Sequence, residues 1–148
     1  MGTVHAEITI KNSTDVTGLF EGRLKEHEVR SVTVNSVVDT GATSLVINEE
    51  LRNKLGLGVI EERYMKLADG GKVLSRITTP VSIHWKNRSW VCPAVSLEHV
   101  EHILLGAIPL EGMDLMVNPK TQELSGVHGD VIEMLLLNLE PYTERVSA

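Results

Sequence analysis

The sequence predicts a mainly β fold, a barrel or sandwich of short strands with two short helices. Several separate stretches alternate apolar and polar residues with the period of a strand. Turn-forming residues such as Asp-Gly-Gly, Asn-Arg-Ser and Pro-Lys recur between these stretches at close spacing. The 148 residues suffice for one domain with its own core. Aromatic residues make up only 3% of the chain, so this core must be aliphatic.

The first part of the chain is expected to contain strands joined by turns. Residues 4–10 alternate apolar and polar side chains, which predicts a half-buried strand. Residues 12–22 are rich in turn formers and predict a loop or a wide hairpin. A second strand is predicted over 29–34, and Asn35-Ser36 is interpreted as a tight connection into Val37-Val38-Asp39. The chain thereby delivers a carboxylate to the end of an apolar strand.

The clearest helix follows Asn48, a good N-cap residue, and opens with two glutamates at the positive end of the helix dipole. Leu51 and Leu55 share one face, and Gly56 can end the helix. We therefore expect a short helix with one apolar side.

The middle of the chain predicts a hairpin, because 59–67 and 73–79 both favour β structure and flank Ala68-Asp69-Gly70-Gly71-Lys72. Glycines at such a tip supply the positive φ that tight turns require. Two further strands are predicted over 81–85 and 90–97.

Pro93 is expected to place the second of these strands at a sheet edge or a bulge. Residues 98–102 fit either a loop or a helical turn.

The second half contains another apolar stretch that ends in a glycine, Ile103-Leu104-Leu105-Gly106-Ala107. A short helix is predicted next, with Pro109 in its first turn and Gly112 at its end. A hairpin over 115–124 then turns at Pro119-Lys120.

We expect one domain over 1–126 and a C-terminal extension over 127–148. The extension contains the apolar stretch 131–137, which is too apolar to remain in water and must pack against something. Packing in the core of the single chain and participation in a dimer sheet are both open.

Composition argues against several classes of function. The net charge is -6 and no cluster of Lys and Arg exceeds two residues, which argues against nucleic-acid binding. Cys92 is the single cysteine, so an intramolecular disulfide is excluded and a reducing compartment is favoured. The first residues do not resemble a signal peptide, and the apolar run 134–137 is too short to span a bilayer. These patterns predict a cytoplasmic protein without a membrane partner.

The most informative stretch is 37–44, in which two valines precede Asp39 and Thr40-Gly41-Ala42 follow it. A carboxylate at the end of an apolar strand is costly to desolvate unless neighbouring groups hydrogen-bond it. Leu45-Val46-Ile47 come next, and a solvated surface turn would not supply such residues. The segment resembles the active-site loop of aspartic peptidases.

The order of elements resembles the retropepsin-like fold of these peptidases over roughly residues 4–125. In that fold the catalytic triplet and its short helix are mirrored by a hydrophobic-hydrophobic-Gly element and helix, as Leu105-Gly106 is here. Stretches such as 104–124 look closest to bacterial retropepsin-like proteins. The resemblance implies an all-β acid protease barrel with one catalytic half per chain.

By this resemblance, Asp39, Thr40 and Gly41 form the catalytic loop of an aspartic endopeptidase. The substrate-binding residues would be those beside the loop and at the hairpin tip, which acts as a flap: Ala42, Leu67, Ala68, Asp69, Gly70 and Gly71. The chemistry needs two carboxylates that share a proton, and the chain has a single Asp-Thr-Gly. The resemblance therefore implies a homodimer that cleaves peptides or proteins without a cofactor.

The sequence departs from retroviral members at two points. Ala107 stands where Arg or Asn usually follows the second-half glycine, and the tip 68–72 is poorer in glycine and apolar residues. The extension after about residue 127 has no counterpart that we can place. These departures leave the substrate undefined.

Three other functions compete with the peptidase. An actin/Hsp70-type phosphate loop needs two large domains that 148 residues cannot hold. A haloacid-dehalogenase phosphotransfer site requires a second Asp two residues after the first, and Gly41 occupies that position here. A catalytically silent retropepsin-like module that dimerises or binds peptides would keep the fold alone.

The remaining titratable residues are interpreted without catalytic roles. The histidines lack a known ligand spacing, so no metal site is predicted and they are interpreted as surface residues: His84, His99, His102 and His128. Cys92 is interpreted as a packed thiol, and Asp69 and Asp114 as acids of a turn and a strand end.

Overall fold

The computed structural model describes residues 2–134, 136 and 140–145. Within them the chain forms, in order, β1 (His5–Asn12), α1 (Ser13–Phe20), a 3-10 helix (Glu26–Glu28), β2 (Ser31–Val38), β3 (Leu45–Asn48), α2 (Glu49–Lys54), β4 (Val59–Lys66), β5 (Lys72–Thr78), β6 (Val81–Trp85), β7 (Arg88–Cys92), β8 (Ala94–Leu97), β9 (Leu104–Leu105), α3 (Ala107–Gly112), β10 (Leu115–Asn118) and β11 (Glu123–Gly126). The predicted mainly β fold class is confirmed.

Most strands join one curled sheet in the order β4-β5-β8-β3-β9-β2-β1-β6-β7, and β10 and β11 form a separate pair. The short strand β9 lies between β2 and β3, parallel to the first and antiparallel to the second. This position joins the two halves of the chain, because β9 comes from the second half and its neighbours from the first. The curled sheet surrounds an aliphatic core, to which Ile8, Ile10, Leu45, Ile47 and Ile83 contribute fully buried side chains.

The expected loop or wide hairpin over 12–22 is wrong, because α1 occupies most of this range. Asn12, which the sequence suggested as a turn residue, is the N-cap, and its side chain accepts a hydrogen bond from the backbone N–H of Asp15 (3.2 Å). The buried Asp15 carboxylate in turn pairs with Arg30 (2.8 Å). Arg30 thereby lowers the pKa of Asp15.

The tight connection expected at Asn35-Ser36 is also wrong, because β2 runs without interruption to Val38. Its pairing with β1 extends from His5 opposite Val37 to Lys11 opposite Ser31, so the whole strand has a partner. The buried Ser36 remains in the strand because its hydroxyl donates to the backbone carbonyl of Ala6 (2.8 Å).

Pro93 divides the predicted strand 90–97 into two, so a single strand there is wrong. β7 lies at the outer edge of the sheet, whereas β8 lies inside it between β5 and β3. A residue without an N–H group fits the point where the chain leaves one strand for the other. Residues 98–102 form bends and no helix.

The turn expected at Asn-Arg-Ser lies at 86–87 instead, because Arg88 and Ser89 already pair with β6 as part of β7. Further predicted elements agree with the structure. α2 begins after Asn48, whose side chain accepts from the Leu51 N–H (2.8 Å), and Gly56 follows its end with a positive φ of 63°. Pro109 lies in α3, and the hairpins β4–β5 and β10–β11 form as expected.

The apolar part of the C-terminal extension does not join the core over the residues that the structure describes. Val131, Ile132, Met134 and Leu136 are all exposed. The other leucines of the stretch 131–137 lie outside the described residues. No described helix has the length and hydropathy needed to cross a bilayer.

Candidate active site

Asp39 lies at the point where β2 leaves the sheet. Its backbone N–H donates to the carbonyl of Leu105 (3.0 Å), which continues the parallel pairing of β2 with β9 by one residue. The carboxylate is half-buried, and its Oδ1 accepts the backbone N–H of Gly41 (2.9 Å). A further bond from the Ala42 N–H to the Asp39 carbonyl (3.1 Å) closes the loop. The carboxylate is therefore held by its own loop and remains accessible on one side.

The second-half glycine fits tightly against this loop. A Cβ atom at Gly106 would lie 2.3 Å from the carbonyl oxygen of Ser44 and 2.6 Å from that of Ala42. Just beyond it, Ala107 donates its N–H to the Ala42 carbonyl (2.8 Å), and Ile108 donates to the carbonyl of Thr43 (2.9 Å). The start of α3 thus clamps the loop that carries Asp39, in a close approach that only glycine permits.

Thr40 and Gly41 are exposed beside the carboxylate. The Thr40 hydroxyl makes no hydrogen bond with any part of the chain that the structure describes. This side of the loop is therefore open to a partner or a substrate.

The predicted substrate-binding tip forms the turn of the β4–β5 hairpin. The Leu67 N–H donates to the carbonyl of Gly71 (2.8 Å), and the Leu67 carbonyl accepts the N–H of Gly70 (3.0 Å). Gly70 has a positive φ of 89°. The Asp69 carboxylate accepts the N–H of Gly71 (2.8 Å), and Ala68 is exposed like its neighbours. Within the described residues, no hydrogen bond or ion pair links this tip to the loop 39–42. The structure brings Asp39 to Ala42 together with Gly106.

Comparison with known proteins places this loop in a family. The model of the aspartyl protease family matches residues 23–136, which include Asp39, the β4–β5 hairpin and Gly106. The chain belongs to the aspartyl protease family. No curated protein matches it significantly. A particular likeness of this aspartyl protease to bacterial members, and a domain boundary at 126, stay predictions.

An ion-pair network that the sequence did not indicate ties the hairpin of this aspartyl protease to α2. The Glu49 carboxylate pairs with Arg52 of the same helix and with Arg76 of β5, and it accepts from the Ser96 hydroxyl of β8 (3.2 Å). Arg76 also lies 3.6 Å from Glu62 of β4. The sequence suggested only a dipole role for Glu49, because its partners are distant along the chain.

Replacing Glu49 with Gln is expected to loosen the base of the β4–β5 hairpin. The amide keeps the shape of the side chain but removes the charge that two arginines share, and a lost charged hydrogen bond costs roughly 1–3 kcal/mol. Hydrogen exchange of residues 59–66 and 72–78 should therefore accelerate.

Glu50→Gln is the matched control, because the exposed Glu50 pairs, among the described residues, only with Lys54 on the helix surface (3.4 Å). Equal exchange rates in both variants would remove Glu49 from the support of the hairpin.

A second cluster fastens the beginning of the C-terminal extension. Arg88 is only 3% exposed and donates to the carbonyls of Met113 (2.9 Å), Asp114 (2.8 Å) and Gly129. The Asp114 carboxylate accepts from the ring of His128 (2.7 Å) and from the N–H of Glu133 (3.0 Å). Asp114 is therefore a buried anchor with a positive φ of 54°, and not merely the strand-end acid that the sequence suggested.

The other titratable side chains are spread over the structure. Burial raises the pKa of Cys92 to about 11, in agreement with a packed thiol. His99 and His102 are exposed, whereas His84 is half-buried, which lowers its pKa. No three acidic, cysteine or histidine side chains among the described residues are arranged to hold a metal ion.

The stability with which residues 127–133 stay docked on the rest of the protein is expected to depend on pH. The hydrogen bond between the two side chains lowers the pKa of Asp114 and raises that of His128 above its ordinary 6.5. Protonated His128 therefore stabilises the docked segment fully below pH 6.5, and this contribution is lost as pH rises through the raised pKa. The contribution of Asp114 is present above 3.8 and is lost as pH falls through its lowered pKa. Arg88 and Glu133 also face the pair.

Hydrogen exchange measured from mildly acidic to alkaline pH and corrected for intrinsic rates tests this prediction. Amide protection of 127–133 should fall as His128 deprotonates, while that of β6 stays constant. His128→Gln should remove the dependence, and an unchanged pH profile in this variant would contradict the assignment.

Proposed function

We propose that this aspartyl protease is an endopeptidase that works as a homodimer, with Asp39 of each subunit activating one shared water molecule. The observation that carries the proposal is the geometry of the Asp39 loop. The carboxylate is half-buried, is held by the Gly41 N–H, and lies beside the exposed Thr40. A second copy facing this open side would bring the two carboxylates together.

The chemistry follows from the pairing of two like charges. Two carboxylates at close range cannot both ionise readily, so the pair holds one proton and titrates as a unit. The ionised Asp39 takes a proton from the water as it attacks the peptide carbonyl, and the protonated one donates its proton to the carbonyl oxygen. As the resulting diol collapses and the C–N bond breaks, the newly protonated carboxyl group gives its proton to the nitrogen and the other carboxylate takes a proton from a diol hydroxyl, so the pair again holds one proton. Activity is therefore expected on the acidic side of neutrality.

A cavity near the loop supports a role in peptide binding. It has a volume of about 300 Å³ and is bounded by Ser44, Ile77, Ile108 and the Glu61–Arg63 pair of β4. Apolar side chains of a peptide fit such a cavity. We propose that the tip Leu67–Gly71 closes over the peptide as a flap, where exposed backbone groups add hydrogen bonds and the closed hairpin excludes water.

The dimer is expected to form through Thr40 at the axis and through the exposed apolar stretch of the extension. Thr40 has a free hydroxyl within the described chain, and Val131, Ile132 and Leu136 present apolar area that a partner would cover. Both features would be satisfied by a symmetric, self-complementary contact.

Dilution is expected to reduce the activity per subunit, because the catalytic site needs two chains. Analytical ultracentrifugation over the same concentration range should show a dimer wherever activity is high. A species that is monomeric throughout, with activity proportional to its concentration, would contradict the dimer.

The proposed activity is tested by incubation with a proteome-derived peptide library at about pH 4 to 7, the range in which a carboxyl dyad can share a proton. Mass spectrometry should find reproducible internal cuts that are absent with Asp39→Asn. Peptides bound without any cut would favour the non-cutting binding module instead.

A further inference from the structure

A second groove lies beside the proposed peptide cavity and has a volume of about 530 Å³. Its apolar lining includes Trp90, Ile108, Val127 and Met134. Ile108 lines this groove as well as the proposed peptide cavity at Ser44, so the two adjoin at this residue.

The groove is built by the C-terminal extension. Val127 and Met134 flank the segment that Asp114 and His128 fasten to the body, so the cluster around Asp114 holds one wall in place. The opposite wall is α3, where Gly112 packs so closely on Trp90 that a Cβ would lie 2.1 Å from the indole ring. Both walls are thus anchored.

The charges that line the groove are mainly negative. Glu111, Asp114 and Glu133 contribute carboxylates, His128 is the one basic group, and no Lys or Arg lines it within the described chain. Asp114 and Glu133 are offset by their contacts with His128. Glu111 is exposed and forms no ion pair with any described residue, so it is available to a cationic ligand.

We propose that this groove is a secondary binding site for the substrate, and that it receives a segment outside the cleaved bond that carries an apolar side chain beside Lys or Arg. The apolar side chain lies against Trp90 and Val127, and the cation lies near Glu111. The claim that this groove selects substrates rests on the proposed peptidase activity. The claim that it binds a basic peptide stands without that activity. The occupant is a basic peptide because the groove combines an apolar lining with the exposed, unpaired carboxylate of Glu111, and no Lys or Arg of the described chain lines it.

Trp90 allows binding to be measured without cleavage. The chain has two tryptophans, so Trp85→Phe leaves Trp90 as the only one, and Asp39→Asn prevents turnover. Short peptides that contain Lys-Leu-Lys, Glu-Leu-Glu or Ala-Leu-Ala are added to this double variant. The Lys-Leu-Lys peptide should change the Trp90 fluorescence with saturation, and the acidic peptide should not.

Glu111→Gln should weaken this binding by about two- to fivefold, the range for one exposed charge pair. Glu98→Gln is the matched control, because Glu98 is exposed and lies outside the groove. Equal responses to all three peptides, or equal effects of the two Gln variants, would overturn the proposal.

Cleavage by the protein with an intact Asp39 separates the two proposals. In a series of peptides with Lys-Leu-Lys at successive distances from an apolar cleavage site, at least one placement should have a lower KM than its Glu-Leu-Glu counterpart. Glu111→Gln should reduce this advantage with little change in kcat. Binding without cleavage supports the groove and refutes the peptidase, whereas cleavage without any preference for basic flanks refutes the groove.

A second copy of the chain is the other occupant that the test can reveal. In that case Val127→Arg would convert the dimer into a monomer in ultracentrifugation, and the basic peptide would leave Trp90 unchanged at concentrations where the dimer forms. This combined result would overturn the proposal.

Discussion

Asp39→Asn is expected to reduce peptide cleavage by about 10²- to 10⁴-fold or more, the contribution of a positioned general acid or base. The amide oxygen can still accept the N–H of Gly41, so the loop should keep its shape. The amide cannot take a proton from water, and a symmetric dimer would lose both of its catalytic groups at once. Initial rates on a library-derived peptide, measured from acidic to neutral pH, check the prediction.

Asp130→Asn is the control for this variant, because Asp130 is exposed and forms no hydrogen bond or ion pair with loop 39–42. The thermal unfolding temperatures of both variants should match that of the parent chain. Cleavage that survives at the parent rate in Asp39→Asn would remove this residue from the mechanism.

Gly106→Ala is expected to have the largest effect on stability. The added Cβ would lie within 3 Å of three backbone atoms of the catalytic loop, those of Ala42 and Ser44, and backbone cannot move aside as a flexible side chain can. Overpacking costs roughly 1–3 kcal/mol, occasionally more, and about 3 kcal/mol is expected here because the clash is with backbone. For a chain of this length the loss corresponds to about 10 °C in Tm.

Gly58→Ala is the matched control, since its Cβ would meet only the Thr79 side chain at an ordinary 3.4 Å. Calorimetry should show a clear decrease in Tm for Gly106→Ala and a small change for Gly58→Ala. Activity should be lost in the first variant even below its Tm, because the loop that carries Asp39 must shift. A Gly106→Ala protein with normal stability and activity would contradict the observed packing.

Local patterns explain which parts of the fold were predictable. The N-cap at Asn48, the glycine tip of the β4–β5 hairpin and the strand before Asp39 each depend on residues within a few positions of one another. The helix α1 was missed because Asn12 is favoured both in turns and at N-caps, and the short helix after it shows no clear period. The contact of Asp15 with Arg30, 15 positions away, is what distinguishes a helix N-cap from a turn at Asn12.

Long-range contacts explain what was missed at the candidate site. The sequence indicated Asp39 and Gly106 separately, and the resemblance to known peptidases linked them. The clamp between them depends on β9 lying between β2 and β3, which no local pattern encodes. The anchoring of the extension likewise joins Arg88 to Gly129 across 41 positions, and the ion pair of Glu49 with Arg76 spans 27.

The exposed extension shows how a pattern can predict burial without identifying the partner. The apolar stretch 131–137 indicates burial, and the described side chains Val131, Ile132, Met134 and Leu136 are exposed in the single chain. Burial of Val131, Ile132 and Leu136 by a partner surface is part of the proposed dimer.

Mixing of subunits tests the central claim most directly, namely that each catalytic site takes one Asp39 from each of two chains. Parent and Asp39→Asn chains are combined in varying ratios at constant total concentration, with time for exchange, and peptide cleavage is measured. Because mixed dimers lack one carboxylate, activity should fall as the square of the parent fraction, to about one quarter in an equal mixture. A linear fall, to about one half in the equal mixture, would mean that one chain suffices and would contradict the shared site.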